Sequence, residues 1–224
     1  MPIKFDSQFG FAEEASEFIA LLLRLKSPRK VRPVITRSGA RARGVVPSMK
    51  ASSRARFESL VERDMLQVLE VSSLATAIHT HPFVLALPGE AGVLHYTPDV
   101  VVEFRDGGVI VEAKGSYFLR LPEQRERLAE IVRRLRREGF RLVLATENDI
   151  RVEGLQEELS ELLRMRPFVA RACAGLDTAA WDPLGRAESD FDAEQRWIVA
   201  QRECDALLAR LMRRDPGELL PLDA

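Results

Sequence analysis

Three ionisable residues near the middle of the chain have the types and spacing for chemistry: Asp99, Glu112 and Lys114. Asp99 opens the apolar run Val100-Val101-Val102-Glu103-Phe104, and Glu112 and Lys114 close the run Val109-Ile110-Val111-Glu112-Ala113-Lys114. Between them, Arg105-Asp106-Gly107-Gly108 offers Asp-Gly, the preferred centre of a two-residue type I′ turn, where both positions need positive φ. With Asp106-Gly107 as that centre, Phe104 faces Val109, Val102 faces Val111 and Asp99 faces Lys114. Residues paired across a hairpin share a face, and successive residues alternate. One face then carries Val100, Val102, Phe104, Val109, Val111 and Ala113, while the other gathers Asp99, Glu112 and Lys114 at one end. Two neighbouring carboxylates suit Mg2+, with Mn2+ as the alternative ion. A metal there polarises a phosphoryl oxygen and acidifies a bound water. The lysine can stabilise developing charge, or orient or deprotonate the attacking water. A phosphodiester is the natural substrate of this set. An exposed hairpin end with an ordinary Asp–Lys cross-strand pair would satisfy the same spacing.

The elements that must position these residues follow from periodicity. Phe57, Leu60, Val61, Met65, Val68 and Leu69 recur at three- and four-residue spacings and predict a helix ending near Val71. Residues 75–87, 93–104 and 109–114 read as extended, 121–138 as a basic amphipathic helix, and 141–146 as a buried strand. The final strand–helix–strand step favours parallel pairing at one end of a mixed sheet. Farther on, Trp197, Ala200, Cys204, Leu207, Leu208 and Leu211 fall on one face of a helix over 189–214, suited to packing on the body or on a partner. Residues 12–26 read as a short helix, and 27–53, rich in Pro, Gly and Ser, as an arm with little regular structure. The reading is an α/β core of helix, mixed sheet, helix and strand over 57–150. A segment over 1–56 precedes it, and a helical segment over 151–224, a candidate partner-binding region, follows.

Composition sets the class. At 224 residues, 46% hydrophobic and 30% charged, the chain fits one globular core with an appendage. Two cysteines, Cys173 and Cys204, exclude a disulfide scaffold or a multi-cysteine zinc module, and both read as packing residues. His79, His81 and His95 lie in strand-like contexts without a helical His pair, which argues against zinc and for structural or substrate-contacting roles. Neither a glycine-rich phosphate loop nor a Gly-x-Ser-x-Gly elbow is present. The opening residues lack signal-peptide order and no apolar run approaches a membrane span, so a cytoplasmic protein is expected. The net charge of −1 is unevenly spread, because Arg24 to Arg56 holds eleven Lys or Arg and no acid. Such a block points to an anionic partner, above all nucleic acid. Arg41, Arg43, Lys50, Arg54 and Arg56 are the expected DNA-binding residues. The arginines of 121–138 default to a solvated face, with phosphate tracking the functional alternative.

Pro98-Asp99 at the start of one strand and Glu112-Ala113-Lys114 at the end of its partner match the PD-(D/E)xK nuclease signature. The resemblance extends further. Arg43-Gly44-Val45-Val46-Pro47-Ser48-Met49-Lys50, then Phe57-Glu58-Ser59-Leu60-Val61-Glu62-Arg63-Asp64, His81-Pro82, Tyr96-Thr97-Pro98-Asp99, Glu112-Ala113-Lys114 and Thr146-Glu147-Asn148-Asp149-Ile150-Arg151 resemble the TnsA family over roughly 43–155. TnsA proteins are endonuclease subunits of heteromeric DNA transposons. The resemblance implies a restriction-endonuclease-like fold and Mg2+-dependent hydrolysis at the 5′ ends of the element. It implies Glu62 as the helical active-site acid, Asp99 and Glu112 as metal ligands with Glu62 completing the shell, and Lys114 as the catalytic lysine. Its implied partners are double-stranded transposon-end DNA, a DDE-type transposase that cuts the 3′ ends, and an AAA+ ATPase regulator, met at the nucleoid of a bacterium. His81 departs from the family pattern, where Gln is expected before Pro82. The rival readings are a junction resolvase or a defence or restriction nuclease on the same fold, and a non-catalytic assembly subunit.

Overall fold

The computed structural model describes residues 16–31, 42–90, 92–165 and 188–222. Its centre is a four-stranded mixed sheet of order β3 (Ala75–Thr80), β6 (Val100–Phe104), β7 (Gly107–Ala113) and β8 (Leu142–Ala145). β3–β6 and β6–β7 are antiparallel, whereas β7–β8 is parallel, as the connection through α3 (Pro122–Arg137) requires.

Both faces of this sheet are covered. Val100, Val102, Val109, Val111 and Ala113 point to a cluster shared with α2 (Leu60–Val71), α5 (Leu155–Met165) and α6 (Glu188–Arg213). Val101, Ile110, Leu142 and Leu144 point to a second cluster under α1 (Glu17–Leu22), α3, and the β4 (Leu85–Leu87)–β5 (Leu94–Tyr96) hairpin. Two covered faces explain the unbroken Val100-Val101-Val102 run, in which every side chain is buried. Trp197, Ala200, Cys204, Leu207, Leu208 and Leu211 all lie in the first cluster, so α6 lays its apolar face on the body. That cluster also takes in Val46, Ala55 and Phe57, and therefore crosses the positions expected as boundaries near 56 and 151. Among the described residues no helix is long and apolar enough to cross a membrane. Arg41 and Cys173 lie outside the described residues.

Three expectations are corrected. The hairpin register is Phe104↔Gly107, Val102↔Val109 and Val100↔Val111, two residues from the expected one. Neither Arg105 nor Asp106 adopts positive φ, so the primed turn does not form, and Gly107 alone takes the left-handed conformation at 128°. A two-residue shift is one full side-chain period, so every residue keeps its face. Asp99 now lies level with Glu112 rather than Lys114. Second, the extended segment 93–104 splits at Pro98, as 75–87 does at the interruption its Pro82 implies; a proline lacks the N–H a ladder needs. Third, the arm over 27–53 is partly ordered: β1 (Gly44–Val46) and β2 (Ala55–Phe57) form an antiparallel ribbon on the core. Alternation in Ala55-Arg56-Phe57 buries the apolar pair and leaves Arg56 outside.

The basic helix α3 is also largely committed to the fold. Arg134 is buried, and donates to Leu87 O at 2.9 Å, Gly92 O at 2.7 Å and Glu130 at 2.6 Å, pinning the β4–β5 hairpin. Arg133 and Arg136 are tied to Glu130 and Asp215.

Candidate functional site

The site forms where β7 ends and β6 begins, opposite the first turn of α2. Lys114 Nζ lies 3.2 Å from Asp99 Oδ2 and 2.8 Å from Glu112 Oε1, so the three groups share one side of the ribbon. Ala113 N donates to Asp99 Oδ2 at 3.1 Å, which ties the carboxylate to the next strand. Glu112 Oε2 accepts the Tyr96 hydroxyl proton at 2.6 Å. Both Glu112 oxygens are thus engaged.

Glu62 arrives from the other layer. Ser59 caps α2, its Oγ accepting from Glu62 N at 3.2 Å, and Glu62 is the third helical residue. Its carboxylate reaches back, accepting from Glu58 N at 2.7 Å and Ser59 Oγ at 3.0 Å. The Ser-x-x-Glu start thus folds the Glu62 side chain back over the N-terminus of α2 and turns it inward, where the family resemblance expects the helical acid. Glu62 is 5% exposed.

The fifth member is His81. It is the one described non-glycine residue with positive φ, at 45°, in a region His tolerates better than most side chains. Its N–H bonds Asp99 O at 3.0 Å, which brings the ring over the site, with Nε2 3.7 Å from Glu62 Oε2. Nδ1 is buried and has no hydrogen-bond partner. One ligand atom from each of Glu62, His81 and Asp99 lies within 4.8 Å of the others, close enough for a single ion. Glu112, expected as a ligand, stands outside this group, and His81, expected to be structural or substrate-contacting and not a ligand, stands inside it.

The electrostatics suit a cation. Three carboxylates face a single ammonium. Burial, then the neighbouring Glu112, pushes Asp99 well above the ordinary carboxylate range. Burial also raises Glu62, against the opposing Glu58 N–H and Lys114. Burial lowers His81 and so favours its neutral form, the form that ligates metals. Burial lowers Lys114, but Glu112 and Asp99 outweigh it and raise the ammonium well above its usual range. Burial and Glu112 raise the Tyr96 phenol, which remains a donor.

The residues therefore fit a divalent cation: an excess of buried negative charge and an imidazole nitrogen without a partner. The oxygens suit Mg2+, while the imidazole widens the set toward first-row transition ions such as Mn2+.

The expected DNA-binding residues divide. Arg54 and Arg56 are exposed. Arg43 is half-buried on entry to β1. Lys50 is half-buried, and its Nζ donates to Leu69 O, at 2.9 Å, and to Ser72 O. There it satisfies carbonyls at the C-terminus of α2, where a cation also meets the helix dipole. Tyr96 was missed as a site residue although it sits in the Tyr96-Thr97-Pro98-Asp99 motif. No known family model matches the chain, and no curated protein matches it, so its likeness to TnsA rests on the motifs and their order alone.

Proposed function

We propose that the chain is a metal-dependent DNA endonuclease acting as the 5′-end-cutting subunit of a heteromeric transposase. The observation that carries the hydrolytic part is the convergence of Asp99, Glu112 and Lys114 at one ribbon tip, facing Glu62 and His81. Glu62, His81 and Asp99 would hold the ion. When bound, a divalent ion supplies Lewis-acid activation of the phosphoryl group and of a water.

The chain's own groups divide the remaining work. Lys114 stays an ammonium at neutral pH, so it neutralises charge developing on the phosphate and orients the attacking water rather than accepting its proton. Glu112, held by the Tyr96 hydroxyl, positions Lys114 through its other oxygen. Arg54 and Arg56 contribute salt-sensitive affinity for the phosphate backbone. The restriction-endonuclease-like classification, Mg2+ as the working ion, the transposase and ATPase partners, and action at the bacterial nucleoid follow from the motif likeness.

The test is a nicking assay on supercoiled and transposon-end DNA, in Mg2+, Mn2+ and EDTA, with and without a transposase from the same gene cluster. Wild type should nick only with a divalent ion, and Asp99→Ala and Lys114→Ala should not nick. Nicking retained by both variants, or by wild type in EDTA, rejects the site.

A further inference from the structure

Directly after Lys114 the chain makes a short 3-10 turn over Phe118–Arg120. The turn is firmly held. Ser116 N and Oγ donate to Glu147 at 2.6 and 2.7 Å, Phe118 N bonds Gly115 O at 2.9 Å, and Arg120 N bonds Tyr117 O at 3.1 Å. Leu119 packs on the second apolar cluster. Yet the turn holds Tyr117 outward, 66% exposed, with Phe118 edge-on to it at 6.0 Å between ring centroids. Folding alone gives no reason to fix a large ring in water three residues from the site's lysine.

Exposed arginines follow the ring along the chain, with Glu123 and Glu126 between them. Arg120 follows in the same turn and is exposed, and Arg127 is exposed on α3. Neither makes an ion pair among the described residues, unlike Arg133, Arg134 and Arg136 of the same region. An exposed ring with arginines close to it along the chain is a device by which proteins hold single-stranded or unstacked nucleic acid: the ring stacks on a base while the cations follow phosphates.

We propose that Tyr117 is a base-stacking site for an unpaired nucleobase beside the scissile phosphate. This rests on the nuclease reading and gives it a substrate class: duplex DNA with a locally unpaired position next to the cut. A paired base has both faces covered by its neighbours, whereas an unpaired one offers a face at little cost. Phe118 buttresses the ring from the side, and the Ser116–Glu147 bonds fix its distance from Lys114.

The test uses the full chain in EDTA, with two duplexes of one sequence, fully paired or carrying a central mismatch, and fluorescence anisotropy. Wild type should bind the mismatched duplex more tightly. Tyr117→Ala should lose roughly five- to 150-fold on that duplex and little on the paired one, while Tyr117→Phe keeps the preference. Because Tyr117 is exposed, the unfolding midpoint of Tyr117→Ala should match wild type, which separates this loss from misfolding. In Mn2+, wild-type nicks should map beside the mismatch. A wild type without preference, or a Tyr117→Ala variant that retains it, overturns the proposal whether or not the protein nicks. A preference that depends on Tyr117 in a protein that never nicks supports the base site and rejects the nuclease reading.

Discussion

Removing the Lys114 ammonium should destabilise the metal-free protein in a pH-dependent way. Asp99 and Glu112 are 7% and 4% exposed, and Lys114 is the cation in contact with both. Taking one partner from a buried ion pair costs about 3–5 kcal/mol. Two effects reduce this. The Lys114 side chain is 30% exposed, so solvent screens part of the interaction. A proton can also replace the ammonium on Asp99, whose pKa is already raised, at about 1.4 kcal/mol per unit between its pKa and the ambient pH. The net loss for Lys114→Met, which keeps the packing of the stem, is about 2–3 kcal/mol near pH 8, or roughly 4–12 °C in Tm for a chain of this size.

The direction of the pH effect follows from linkage. Lys114 has a raised folded pKa, so its contribution is fully present below its ordinary value of 10.5 and persists through the neutral range. In the variant, Asp99 keeps a raised folded pKa, because burial rather than Lys114 sets it. Its penalty applies above the unfolded carboxyl range and disappears as the pH falls through the folded value. Urea unfolding in EDTA at about pH 8 and about pH 5 reads both terms. The gap between variant and wild type should narrow on acidification, and saturating Mn2+ should restore part of the loss at the higher pH by replacing one cation with another. Equal midpoints at the higher pH, or a gap that widens on acidification, would refute the reasoning.

His81→Asn retains a side chain that tolerates a φ of 45° and should weaken Mn2+ binding about tenfold while changing Mg2+ binding little. Calorimetric titration checks this, and equal Mn2+ affinities exclude His81 from the ligand set. Lys50→Ala should lower stability by about 1–2 kcal/mol without changing the slope of log affinity for DNA against log salt. Arg54→Ala and Arg56→Ala should each leave stability intact and reduce that slope by about 0.9. A slope change for Lys50→Ala and none for the arginines would reverse the assignment.

The parts legible in the sequence are those governed by short periods. The six apolar positions of α6 pack as their three- and four-residue spacing predicts. Asp99, Glu112 and Lys114 converge because two-residue alternation puts them on one face, and that survives an error in register. The register differs because Asp-Gly is a strong local signal, yet Asp106 keeps negative φ and the chain reverses over Arg105-Asp106, leaving Gly107, with its positive φ, as the first residue of β7. His81 was not legible as a metal ligand: its place depends on left-handed backbone and on a bond to the Asp99 carbonyl. The Tyr96–Glu112 contact joins two different sheets, and no local pattern encodes it. Lys50 looked like part of a basic block because composition registers charge and not the carbonyls at the end of α2.

The β1–β2 ribbon alters what it takes to meet a polyanion. Guanidinium groups on a loose tail give up backbone freedom when they dock, at roughly 1–2 kcal/mol for each residue that becomes fixed. Arg56 instead rides between Ala55 and Phe57, both sunk into the apolar interior, and Arg54 immediately precedes the same strand. Their backbone is already immobilised before any encounter, so more of each phosphate contact survives as affinity.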